Sequence, residues 1–144
     1  MRDVIREYYE AVHEHDWEKL ASTLAEDVVR TGFMADFAED TAKGKGPYLE
    51  FCRTVIESFE YHAMEIRRIF YSDDRREACA ETEETIQKPG GERITLHCLK
   101  VHDIDEDGLI AGIDQYRKAS PGQAPITLSV GAVMAGPAST GNAS

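Results

Sequence analysis

The stretch VIREYYEAVHEHDWEKLASTLAEDVVRTGF, residues 4–33, decides how this chain is read. Val4, Ile5, Tyr8, Tyr9 and Val12 recur at helical spacing and predict an amphipathic helix of about three turns with one apolar stripe. His15-Asp16 interrupts that helix, and Asp16 offers an N-cap to a second, short helix carrying Trp17, Leu20, Ala21 and Leu24. A strand opens at Ala25-Glu26-Asp27-Val28-Val29 and runs to Phe33.

Beyond it, an acidic loop holds Asp36, Glu39 and Asp40 and is broken by Gly44-Lys45-Gly46. Pro47 suits the first turn of a third helix, whose Tyr48, Phe51, Cys52, Val55, Ile56 and Phe59 fall on one face. From His62 onward the period shifts towards two. Strands are predicted from Ala63 to Tyr71, Glu77 to Gln87, Arg93 to Ile104 and Leu109 to Lys118. The turns Ser72-Asp73-Asp74, Pro89-Gly90-Gly91 and Glu106-Asp107-Gly108 separate them, and such short connections predict an antiparallel meander. Helices first and strands after them give an α+β class, with helices on one face of a curved sheet. From residue 120 to 144 there is no charged side chain. That composition predicts a tail, in which Ile126 to Val130 could lie along a sheet edge or a partner subunit.

The 144 residues, 42% hydrophobic and 30% charged, suit one compact domain with a real core. A formal charge of −11 argues against nucleic acid and against anionic membrane surfaces, both of which need an excess of Lys and Arg. Cys52, Cys79 and Cys98 form no CxxC pair and read as buried thiols of a reducing cytoplasm. The start of the chain lacks the apolar run of a signal peptide, and no stretch approaches the ~20 apolar residues of a membrane span. A cytoplasmic protein is expected.

The order of elements, ending in Asp107-Gly108-Leu109-Ile110, resembles the SnoaL-like group of the superfamily that includes nuclear transport factor two, ketosteroid isomerase, scytalone dehydratase and limonene epoxide hydrolase. The resemblance covers residues 1–119, leaving 120–144 as the tail. It implies a cone-shaped barrel of curved, mainly antiparallel sheet wrapped around three N-terminal helices, with an internal pocket. It further implies a homodimer, a small-molecule substrate of polyketide, terpenoid or steroid type, and chemistry that needs no cofactor and no metal.

Counted from the turns at Pro89-Gly90-Gly91 and Gly108-Leu109-Ile110, the family points Glu81, Glu83, Lys100, Gln115 and Arg117 inward, with Arg30 and Gly32 on the first strand. Ketosteroid isomerases carry their base where this chain has Gly32, and their oxyanion tyrosine matches Tyr8. Of the acid, arginine and acid of limonene epoxide hydrolases, Glu83 matches one acid, while Glu81 and Gln115 replace the other two. The resemblance therefore implies a rearranged site: Glu83 as base, Glu81 as partner acid and Lys100 as electrostatic stabiliser. Tyr8, Arg30, Gln115 and Arg117 would contact substrate. Two carboxylates beside a lysine can divide into one protonated and one ionised group, which supplies an acid and a base. Cyclisation, isomerisation or dehydration follows from such a pair; epoxide opening and a non-catalytic binding module are the alternatives.

The plain reading of Glu81, Glu83 and Lys100 is a set of solvated cross-strand pairs worth roughly 0.2–1 kcal/mol, and that of Tyr8 a core aromatic. His97 or His102 becomes the acid/base group if the strand parity slips by one. His13-Glu14-His15-Asp16 resembles a metal cluster on the page, but residues two apart on a helix do not share a face. Gly44-Lys45-Gly46 is too short for a phosphate loop.

Overall fold

The computed structural model describes residues 2–32 and 41–118. Phe33, the acidic loop with Asp36, Glu39 and Asp40, and the tail lie outside the described residues. Helices α1 (Val4–Glu14) and α2 (Trp17–Ser22) lead into β1 (Leu24–Thr31), and β2 (Ala42–Lys43) precedes α3 (Lys45–Glu57). Strands β3 (Tyr61–Tyr71), β4 (Glu77–Gln87), β5 (Arg93–Ile104) and β6 (Ile110–Lys118) complete the order. No described helix is long and apolar enough to cross a membrane.

Local chemistry sets the first boundaries. Asp3 Oδ1 accepts from the Arg6 amide at 3.1 Å at the start of α1, and Asp16 Oδ1 accepts from the Lys19 amide at 3.0 Å at the start of α2. Between them His15 adopts a left-handed backbone, φ 58°, which stops α1 and turns the chain.

The strands form one six-stranded sheet in the order β2-β1-β6-β5-β4-β3. The predicted meander is present as β3 to β6, each antiparallel to the next. Two features were not anticipated: the short β2, and the parallel pairing of β1 with β6 that brings Arg30 opposite Ile113. The sheet is thereby mixed, and it is open rather than a closed barrel, with β2 and β3 at its edges. Helix α1 packs on β3 and α3 on β1. The core between helices and sheet gathers Ile5, Tyr9, Leu20, Leu24, Val28, Tyr48 and Ile110, all essentially inaccessible to solvent. The hydrophobic driving force is thus concentrated on the concave face, which also holds the cavity.

Gly32 ends β1 at φ +70°, and a Cβ placed there would lie 2.5 Å from the Gln115 carbonyl oxygen. The close approach of β1 to β6 therefore leaves no space for a side chain, which accounts for glycine at this position. Gly32→Ala is expected to destabilise the fold by roughly 2 kcal/mol, combining left-handed backbone strain with the clash. Thermal and urea unfolding would measure this, and a variant as stable as the parent would show that β1 can move away from β6.

Candidate functional site

One cavity of about 80 Å³ lies between α1, α3 and the concave face of the sheet. Its polar floor comprises Tyr8, Arg30, Tyr48, Glu84, Lys100 and Gln115. Apolar walls of Phe51, Ile56, Ile86 and Leu96 rise to the half-buried Val55 and Phe59. Glu84 is the one carboxylate on this lining among the described residues.

The structure brings four of the expected residues to the cavity and places three elsewhere. Tyr8, Arg30, Lys100 and Gln115 line it. Arg117 sits opposite Cys98, half-buried on the concave side but away from the cavity lining. Glu81 and Glu83 face outward, correcting the expected parity of β4. Glu81 accepts a hydrogen bond from Arg68 at 2.6 Å. Glu83 pairs with Arg67 and lies 3.5 Å from His97.

The physical reason is the β4–β5 hairpin. Gln87 pairs with Arg93, so five residues, Lys88 to Glu92, form the connection, and every β4 position faces the same side as its partner in this register. Lys100 pairs with Ala80 and Leu96 with Glu84, which puts Ala78, Ala80, Thr82, Glu84 and Ile86 on the concave side. A signal existed in the sequence: three of those five positions are Ala, Ala and Ile, whereas the alternate positions carry Glu77, Glu81 and Glu83. The central Thr-Glu-Glu run obscured it.

Glu84 is fixed by His62, whose Nε2 lies 2.7 Å from Glu84 Oε2. Burial opposes ionisation of Glu84, but the His62 hydrogen bond and the positive charge of Lys100 outweigh it and hold the carboxyl below its ordinary range. Lys100 is 3% exposed, and among the described residues its Nζ has no hydrogen-bond or ion-pair partner. It lies 5.3 Å from the centre of the Tyr9 ring. Burial lowers its proton affinity, the Glu84 charge raises it, and Arg30 lowers it further, with a net downward shift. Arg30 donates to the Gln115 side-chain carbonyl. Glu84 and Lys100 stand four positions apart along the sheet face, about 13 Å at 3.3 Å per residue, and both line the cavity.

Tyr8 and Tyr48 share a buried hydroxyl contact, and burial raises both phenols far enough that they remain protonated donors. Burial likewise pushes the Cys52 thiol up to about 11, so it is not a ready nucleophile. Glu84, His62 and Tyr48 were missed as site residues; Tyr48 read only as part of the apolar stripe of α3. His97 lies outside with Glu83. His102 is buried with Nε2 2.7 Å from the Tyr9 hydroxyl. Burial, with the charges of Lys100 and Arg30, pushes its pKa down to about 3, so it is neutral near pH 7 and is no acid/base group there. His13 Nδ1 accepts the Met64 amide at 3.1 Å.

The SnoaL-like domain family matches residues 5–113. This chain belongs to that family. Solved structures agree on the fold. Rv0760c from Mycobacterium tuberculosis, in complex with estradiol-17β-hemisuccinate, superposes with a TM-score of 0.70 at 20% identity, over 78% of this chain and 89% of that one. An LEH-like epoxide hydrolase of M. tuberculosis gives 0.64 at 16% identity, over 80% of each chain. The epoxide hydrolase/cyclase-like enzyme SalBIII, of pyran ring formation in the polyether salinomycin, gives 0.68 at 13% identity, over 81% and 88%. None of the curated proteins matches. These structures carry different names while sharing the arrangement of helices and sheet, so the fold by itself does not name a reaction.

Burial of neutral His102 has a consequence for acid stability. Between pH 6.5 and about 3 the unfolded chain binds a proton at this residue and the folded chain does not, so stability falls as pH drops through that window. The contribution is roughly 2 kcal/mol at pH 5. His102→Asn, which cannot take up that proton, is expected to flatten the pH dependence between about pH 6 and pH 4 in chemical denaturation. An unchanged slope would place the acid sensitivity elsewhere.

Proposed function

We propose that this SnoaL-like protein performs cofactor-free acid/base catalysis on a small carbonyl-bearing molecule, with Glu84 as the base. The observation that carries the reading is a carboxylate held below its ordinary range by His62 and sharing one cavity lining with the buried Lys100, whose Nζ has no hydrogen-bond or ion-pair partner among the described residues. Glu84 would remove a proton from the carbon beside the carbonyl. The bond's electron pair moves onto the carbonyl oxygen, where Lys100 and a tyrosine hydroxyl of the Tyr8–Tyr48 pair stabilise the developing charge. Returning the proton to another carbon gives isomerisation. Attack of the enolate carbon within the same molecule gives cyclisation, and loss of a β-hydroxyl gives dehydration. The roles first expected of Glu83 and Glu81 pass to Glu84 alone.

The cavity is smaller than the about 150 Å³ that accommodates a benzene ring. The reactive end of a ligand fits its floor, and a polyketide-, terpenoid- or steroid-like body would lie along Phe51, Val55, Phe59 and Leu96. The lowered proton affinity of Lys100 supports a second reading, in which Glu84 holds a water and Lys100 protonates an epoxide oxygen. The exposed Phe70, Leu99 and Tyr116 on the convex face support pairing of two copies there, the homodimer that the family resemblance implies.

Proton abstraction can be read directly, without knowing the later step, from exchange of α-hydrogens in deuterated water. Incubated with 3-cyclohexenone, 5-androstene-3,17-dione and acetylacetone and followed by proton NMR, the protein should accelerate exchange of at least one ketone. Glu84→Gln should reduce that rate by about 10²–10⁴-fold and Lys100→Met by about 10²-fold. Glu83→Gln should leave it unchanged. Exchange no faster than in buffer for all three ketones, or a Glu84→Gln variant as active as the parent, defeats the reading. Hydrolysis of limonene oxide in place of exchange favours the epoxide mechanism.

A further inference from the structure

Glu84 is half-buried, its side chain 19% exposed, and the side chains behind it form a second, hydrogen-bonded route to the surface. His62, with its side chain 1% exposed, contacts Glu84 through Nε2 at 2.7 Å. Its other ring nitrogen, Nδ1, lies 3.0 Å from Nε2 of His15. His15 itself is exposed at the end of α1. Both rings are held in place: Trp17 stacks on His15 with an interplanar angle of 7°, and Phe59 stacks on His62 with the same angle. The left-handed φ of 58° at His15 is a conformation that a non-glycine residue adopts at a cost, and here it aims the imidazole at His62.

We propose that His15 and His62 are a proton relay connecting Glu84 to solvent. The relay rests on Glu84 being the base. With Glu84 ionised, His62 carries its hydrogen on Nε2, facing the carboxylate, and His15 carries its hydrogen on Nε2, facing His62. His62 gives its Nε2 proton to Glu84 and takes the Nε2 proton of His15 on its own Nδ1, while His15 takes a proton from water on Nδ1. One proton leaves solvent and one reaches the carboxylate, each ring ends as its other neutral tautomer, and reversal of the same steps returns a proton from Glu84 to water. Imidazole suits this task because a single ring accepts on one nitrogen and donates from the other. His62 acts on Glu84 as a positioning residue and as the first carrier; His15 touches neither cavity nor ligand and is the second carrier.

Several polar groups surround the pair. On α1, His13 is occupied by the Met64 amide. Burial of His15, then the neighbouring His62 and His13, lower its proton affinity, while Glu57 on α3 partly offsets them. From β4, Glu84 faces His62, and Lys100 on β5 lies beyond it in the cavity. A ring that does not hold its extra proton firmly releases it to water.

The test needs no substrate. The ring N–H of His62 is buried, and its exchange with water can be followed by NMR on protein labelled at histidine nitrogens. Replacement of His15 by Phe, which keeps the stack on Trp17 but carries no proton, should slow that exchange by about tenfold or more. His15→Gln, which keeps a hydrogen-bonding group but cannot change tautomer, should slow it similarly, and it guards against a packing defect peculiar to Phe. Exchange that is unchanged or faster in both variants, with melting temperatures like the parent's, overturns the relay. A second readout is the deuterium incorporated per turnover of 3-cyclohexenone in deuterated water. The parent should wash in solvent deuterium, and both His15 variants should return the original proton more often. Loss of the relay signature with the Glu84→Gln effect intact discards the route alone; normal turnover in Glu84→Gln discards the base itself.

Discussion

The five-residue connection between Gln87 and Arg93 is the constraint on which the cavity depends. It decides that Glu84 shares a face with Lys100, and that Glu81 and Glu83 do not. A slip of one residue would turn three carboxylates, Glu77, Glu81 and Glu83, inward in place of one and carry Ala78, Ala80 and Ile86 to the outside. The neighbouring strand supports the same register from the other direction. A bulge between Ile66 and Arg68 leaves the consecutive residues Arg67 and Arg68 both outward, where they meet Glu83 and Glu81. Those pairs are partly exposed and add little to stability individually, yet they oppose the alternative register by making it leave four charges without partners.

The concave face concentrates charge that a purely structural sheet would avoid. Arg30, Lys100 and Glu84 lie among Tyr8, Tyr9, Tyr48 and His102, where each charge is costly to desolvate. His62 and Gln115 compensate through specific hydrogen bonds, and the Tyr9 ring shelters the ammonium. Thr82 Oγ1 and His102 Nδ1 are buried without a hydrogen-bond partner among the described residues. Such incomplete satisfaction lowers stability and is tolerated where a ligand or a reaction needs polar groups poised in a dry setting.

Much of the fold was legible because it follows from periodicity and punctuation. The stripe Val4, Ile5, Tyr8, Tyr9, Val12 and the cap Asp16 define the first two helices, and the limits of β4 and β5 match the turn signals that bound them. The parallel β1–β6 contact was not legible, because it joins residues more than eighty positions apart and no local pattern encodes it. On the site, Lys100, Arg30, Gln115 and Tyr8 reach the cavity as expected, while Glu84 was passed over for its neighbours. In a Thr-Glu-Glu run the alternation is locally degenerate, and only the apolar residues several positions away resolve it. His62 carries no local signal of a role because its partners, His15 and Glu84, lie on different elements.

The glycine that ends β1 bears on the geometry of any reaction here. Ketosteroid isomerases place their base at that position, but in this chain the Gln115 carbonyl occupies the space a side chain would need. The carboxylate stands instead on β4, separated from β1 by β6 and β5 across the curved sheet. A ligand anchored by its oxygen at the Tyr8–Tyr48 hydroxyls would turn one flank to β1 and the opposite flank to β4. With Glu84 as the base proposed above, a hydrogen would leave from the β4 side of the cavity and not from the β1 side, so the strand that carries the carboxylate would bear on the handedness of any stereocentre formed.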